Sequence, residues 1–252
     1  MGTTLHTTTK QLEILRLLYK FRFLNRHQIQ TLLKHKSFNR INAWLTDLVK
    51  SELVSRNYSR EYGENTKPAI YYLNVKSKKY LSSLDGFSSD LLKRVYRERG
   101  RSKRFINHCI AIGDVYIHLR NLKTDKLLQF LIKEELALAD HLIQPVPDAY
   151  FAVEKADESS FRFFLEVIDP GLPRYMLRKR ILDYISFAEG KEWEEKTQHE
   201  FPSVLCACPN DWVKNYLFRL IKAIQKDETI INFYLMVYTN PNDQRQFWQK
   251  VT

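Results

Sequence analysis

The sequence predicts an α+β protein in two parts: a small helical module closed by a β-hairpin, then a larger α/β domain built on a mixed sheet. Three observations predict it. Apolar residues recur at helical spacing in three short segments before residue 50, and a hairpin pattern follows them. From about residue 102, long helical patterns alternate with short β-rich runs. The charge changes at the same place: residues 1–104 hold 22 Lys/Arg against 8 Asp/Glu, and residues 105–252 hold 18 against 21. The expected boundaries are 1–84 for the first domain, 85–104 for a basic connector and 105–252 for the second domain.

"TTKQLEILRLLYKFRFL" opens on threonines suited to an N-cap. Leu12, Ile14, Leu15, Leu18 and Tyr19 then repeat at helical spacing. Asn25 caps "NRHQIQTLLK", with Ile29, Leu32 and Leu33 inward. Ser37 or Asn39 starts a third helix whose stripe is Ile41, Trp44 or Leu45, Leu48 and Val49. A strand from Leu53 to Tyr58, a polar turn containing Gly63 and a strand from Ala69 to Leu73 come next. Three short helices followed directly by a hairpin predict a winged helix-turn-helix.

In that fold the third helix enters the major groove. Ser37, Asn39, Arg40 and Asn42 lie near its start, where Arg suits guanine and Asn suits adenine. Arg56, Arg60 and Lys67 fall on the wing, where they would meet phosphates or a minor groove. Winged helices also bind proteins; the net charge of +11, all of it from the N-terminal part, favours double-stranded DNA. Between Lys93 and Arg104 seven Lys/Arg face one acid, Glu98. Arg97, Arg101 and Arg104 are the phosphate-contacting candidates of this connector, and a solvated charged face is the alternative.

The second domain reads α-β-β-β-α-β-α-β, with strands at "LLQFLIKEE", "DAYFAVE", "FRFFLEVID", "PSVLCACP" and "INFYLMVYT". Two acids stand where the pattern asks for apolar residues: Asp148, after Pro147, and Glu166, between Leu165 and Val167. Acids on adjacent strands can hold Mg²⁺ through hard oxygen ligands. They can equally form a structural ion pair with a following arginine. Cys109, Cys206 and Cys208 lack zinc-finger spacing and are expected to pack in the core. No apolar run reaches the length of a membrane span and the N-terminus lacks a signal-peptide core, so a cytoplasmic protein with no membrane partner is expected.

This order, with Pro147-Asp148 on one strand and Glu166 on the next, resembles the restriction-endonuclease-like fold of PD-(D/E)xK type. The resemblance implies Asp148 and Glu166 as metal-binding catalytic acids, with a lysine two residues after the second. Ile168 stands there instead. Arg174, Arg178, Lys179 and Arg180, on the following helix, are the expected substitutes, and Lys155 is another.

End to end, "QLEILRLLYKFRFLNRHQIQTLL", "NHCIAIGDVYIHL" and "PDAYF…FFLEVIDPG" resemble the replication-relaxation family of plasmid and mobile-element proteins. That implies a DNA-binding protein of replication or relaxation, with replication or relaxosome proteins as partners and room for a homodimer. The missing lysine leads to the expectation that the nuclease-like domain binds DNA or a partner rather than cutting. One alternative is a Mg²⁺-dependent endonuclease targeted by its winged helix. Another is a transcription regulator.

Overall fold

The computed structural model describes residues 7–59, 61–63, 65–122, 126–137, 145–225, 230–238 and 248–252. The chain is α+β and divides into two compact units, Met1–Gly113 and Asp114–Thr252. The division falls inside a single helix, Lys103–Arg120, rather than at a loop.

The first unit begins with α1 (Thr9–Phe21), β1 (Leu24–Asn25), α2 (Arg26–Leu32) and α3 (Phe38–Lys50). Thr8 and Asn25 each accept a hydrogen bond from the backbone of the third helical residue, Gln11 or Gln28. That glutamine returns the bond to the cap's N–H, a reciprocal pair that fixes both helix starts. Ser37 caps α3 by accepting from Arg40 N. Ile14, Leu15, Leu18, Ile29, Ile41, Leu45 and Leu48 are buried between these helices. Trp44 and Val49, expected on the inward stripe, are only half-buried.

β2 (Val54–Asn57) and β3 (Ile70–Leu73) form the hairpin, and β1 adds to the far side of β3, all antiparallel. The two-residue β1 is too short to leave an alternation in the sequence. α4 (Ser77–Leu81), α5 (Ser89–Leu92) and a 3₁₀ helix, Lys93–Gly100, follow, and α6 (Lys103–Arg120) begins three residues after Gly100. The residues expected as a connector thus belong to the first unit. Glu98, 3% exposed, receives Arg22 through Nε at 2.8 Å and Nη2 at 3.1 Å. Gly113 brings α6 close to β1 and α2: a Cβ there would stand 2.9 Å from Leu24 Cδ2 and 3.0 Å from Gln28 Nε2.

In the second unit β4 (Lys126–Ile132), α7 (Lys133–Leu136), β5 (Ala149–Glu154), β6 (Ser160–Val167), α8 (Arg174–Glu189), α9 (Glu192–Thr197), β7 (Ser203–Cys208), α10 (Asp211–Ile224), β8 (Phe233–Val237) and β9 (Gln249–Lys250) succeed one another. Among the described residues the sheet runs β4-β5-β6-β7-β8-β9. It is antiparallel from β4 to β6, parallel from β6 to β8, and antiparallel again at β9. The end of "LLQFLIKEE" turns into α7 instead of extending the strand.

Alternation assigns the two faces. Phe164, Glu166, Val204, Cys206, Phe233 and Leu235 share one face with α8, α9 and α10. Phe151 and Phe163 stack on the other, with Trp248 edge-on to both. A tight turn at Asp169–Leu172 reverses the chain after β6, with Pro170 second and Gly171 at φ +76 third, the arrangement a type II turn needs. Among the described residues no helix is long and apolar enough to cross a membrane.

Candidate functional site

Asp148 and Glu166 arrive by different routes. Asp148 stands just before β5 and continues its ladder: its N–H donates to Leu165 O at 2.9 Å, and its C=O accepts from Lys133 N at 2.9 Å. Its side chain turns to the next strand, where Oδ2 accepts from Val167 N at 2.8 Å. Glu166 is in register with Cys206 in the middle of the sheet, on the face covered by α8. Both acids are buried, 8% and 6% exposed.

A carboxylate in an apolar layer requires partners. Glu166 Oε1 accepts from Arg180 Nη2 and from the Tyr184 hydroxyl, both on α8. Arg180 Nη2 also donates to Val146 O at 2.6 Å. One turn separates Arg180 from Tyr184, so both fall on the helix face turned to the sheet. Burial pushes the Glu166 carboxyl up to about 7, and the neighbouring Asp148 charge acts in the same direction; Arg180 and Tyr184 pull it back. Burial, then the Glu166 charge, hold the Tyr184 phenol well above its ordinary range. Burial opposes charge on Arg180, yet Glu166 keeps its guanidinium above the usual value.

A cavity of about 260 Å³ opens beside this cluster. Glu166, Arg180 and Cys206 border it, with Met176 and Leu177 from α8 and Lys133 from α7. A divalent cation at Glu166 Oε1 would have to displace a guanidinium and a phenol. Among the described residues no group of three or more His, Cys, Asp or Glu could hold a metal ion. Cys206 and Cys208 are buried free thiols, and burial lifts both, Cys208 to about 12, so neither offers a thiolate.

Most of the basic residues expected to replace the missing lysine lie away from Glu166. Arg178 is exposed, and Lys179 is exposed and paired with Asp183 at 2.8 Å. Lys155 sits over the Phe161 ring at the hairpin end of β5. Arg180, one of four neighbouring basic residues, is the one that reaches Glu166. Tyr184 and Lys133 were not expected. The tyrosine left a signal, a hydroxyl-bearing residue four positions after Arg180 on the inward stripe. Lys133 left none, because its place depends on how β4 ends.

In the first unit Ser37, Asn39 and Arg40 are exposed at the start of α3, and Asn42 is half-buried. The Ser37 hydroxyl is engaged as the cap. Phe38, exposed, lies under the Arg26 guanidinium at 4.0 Å. Arg56 is exposed on β2, near the Tyr58 ring, and Lys67 is exposed after the turn. Arg60 lies outside the described residues. Arg97 and Arg104 are exposed, whereas Arg101 is half-buried, 3.6 Å from Glu98 and over the Phe105 ring.

Over 93% of its length the chain resembles a solved structure of the restriction endonuclease FokI, with a TM-score of 0.34 and 14% identity; it spans 44% of that chain. No curated protein matches it. The model of the replication-relaxation family matches residues 15–204. From α1 to the start of β7, with both acids, Arg180 and Tyr184 inside the match, the chain belongs to the replication-relaxation family.

Proposed function

We propose that this replication-related protein binds duplex DNA, in the replication or relaxation of a plasmid or mobile element, and that its second unit is a nuclease-like fold used for binding rather than cutting. The observation that carries this reading is the occupied acid pair. Asp148 is bonded to the backbone of β6, and Glu166 to Arg180 and Tyr184. Glu166 Oε1 already takes a guanidinium and a phenol, so a metal at this acid would compete with a bound cation for the carboxylate's charge.

Duplex binding is supported by the form of the first unit. Three helices and a three-stranded sheet match a winged helix, and α3 presents Asn39 and Arg40 at its exposed start. The 22 Lys/Arg of residues 1–104 supply the phosphate-binding charge. Arg97 and Arg104, both exposed, add to this charge; Arg101 is spent on Glu98 and contributes to the fold. A cytoplasmic location suits this role. So do a homodimer on a two-fold site and contacts to replication or relaxosome proteins.

One observation favours a second reading, a Mg²⁺-dependent endonuclease. Lys133 borders the same cavity as Glu166, and a cation there could serve where the lysine two residues after Glu166 is missing. Purified protein incubated with supercoiled plasmid and Mg²⁺, Mn²⁺ or EDTA separates the two. The binding reading expects intact plasmid that shifts on a gel. Metal-dependent nicking that disappears in Asp148→Ala and Glu166→Ala would replace it with the endonuclease.

A further inference from the structure

Past the end of the family match, α10 carries an exposed tryptophan beside a half-buried tyrosine. Trp212, 59% exposed, and Tyr216, one turn on, lie nearly parallel at 14°, with ring centroids 6.3 Å apart. Arg174, at the start of α8, places its guanidinium 5.0 Å from the Trp212 centroid and 5.3 Å from that of Tyr216. The Tyr216 hydroxyl donates to Arg174 O at 3.5 Å. An indole is among the largest apolar surfaces a side chain has, and folding normally covers it. Here it lies beside a ring and a cation and is left facing solvent.

The charge around the platform is mainly positive. The first turn of α8 has no acid, and Arg178 follows Arg174 by one turn on the exposed side. On α10 Arg219, exposed, follows Tyr216 by three residues, and Asp211 is the acid next to Trp212. Tyr175, 71% exposed, offers another ring one residue from Arg174. A flat aromatic face beside an arginine, flanked by further arginines, complements an unstacked base with its phosphates on either side. A buried duplex base could not reach it.

We infer that Trp212, Tyr216 and Arg174 form a stacking platform for single-stranded DNA. The inference extends the proposed function from duplex to unpaired strands, and its failure can be told apart from failure of that reading. The full chain is titrated, by fluorescence anisotropy, against a labelled oligothymidylate, the same strand with abasic sites and a duplex of equal length. Wild-type protein is expected to bind the oligothymidylate about tenfold more tightly than the abasic strand. Trp212→Ala should abolish that preference while leaving duplex affinity within about twofold, with Trp212→Phe between the two. Equal affinity for thymidylate and abasic strands overturns the platform, as does a Trp212→Ala variant that keeps the preference. So does a Trp212→Ala variant that loses only thermal stability or self-association, because the cluster is then a helix staple or a protein contact. Absence of binding to the duplex as well would sink the duplex-binding reading instead.

Discussion

Glu98 in the first unit and Glu166 in the second are both buried against an arginine, but their surroundings differ. Glu98 receives both arms of Arg22, with Arg101 close by and the Phe105 ring beneath both guanidiniums. Glu166 shares its neighbourhood with a second acid, takes one nitrogen of Arg180 and a phenol, and borders a cavity. The first pair has two cations per acid and ties the basic 3₁₀ helix to the end of α1. The second has two acids per cation, an arrangement that leaves its protonation open to change. Burial alone therefore does not separate a brace from a site; the local balance of charge does.

The largest expected effect would break the first pair. Arg22→Ala strips Glu98 of its bidentate partner and should destabilise the first unit by about 3–5 kcal/mol. Hydrogen exchange of α1 and the 3₁₀ helix measures this without assuming that both units unfold together. Normal protection in the variant would mean that Arg101 suffices.

Arg180→Ala tests the second pair and should depend on pH. The folded-state carboxyl of Glu166 titrates near 7, above its ordinary 4.5, with Asp148, Arg180 and Tyr184 facing it. Stability is then fullest below pH 4.5, where both states carry the proton, and falls as pH rises through 7. Removing the arginine should cost roughly 3 kcal/mol at pH 8, where Glu166 is ionised, and distinctly less at pH 5. Glu166→Gln should flatten the decline between pH 5 and 8. Thermal melts at both pH values check the two variants; parallel profiles for wild type and Glu166→Gln would remove Glu166 as the titrating group.

The smallest effect sharpens the account of α3. Ser37→Ala should cost about 1 kcal/mol through the lost cap and weaken the proposed duplex binding only as far as the helix start frays. Loss of affinity without loss of stability would give the Ser37 hydroxyl a direct contact with DNA.

Much of the fold was legible in the sequence, for reasons that lie in particular residues. Thr8 and Asn25 announce helix starts because a glutamine stands three residues on from each. The strands from Ala149 to Val167 are legible because their side chains must cover both faces of a sheet. β1, β9, α5 and α7 were not legible: two to four residues hold no period, and their existence depends on distant partners. The site was half legible. The sequence showed two acids out of place and a following basic helix, and left a metal site and an ion pair both open. It could not show which of Arg174, Arg178, Lys179 and Arg180 turns inward. That is settled by the phase of α8, whose stripe of Leu177, Ile181, Tyr184 and Ile185 places Arg180 at its edge.

The position of Glu166 has another consequence, during synthesis. β6 is where the sheet changes from antiparallel to parallel, and its second neighbour, β7, begins only at Ser203. Until those residues leave the ribosome, "FRFFLEV" is an open apolar edge, the kind of segment that pairs with copies of itself. In the unfolded chain Glu166 is ionised at neutral pH. The charge that costs stability in the finished sheet thus interrupts the stretch most prone to aggregate while that sheet is still incomplete.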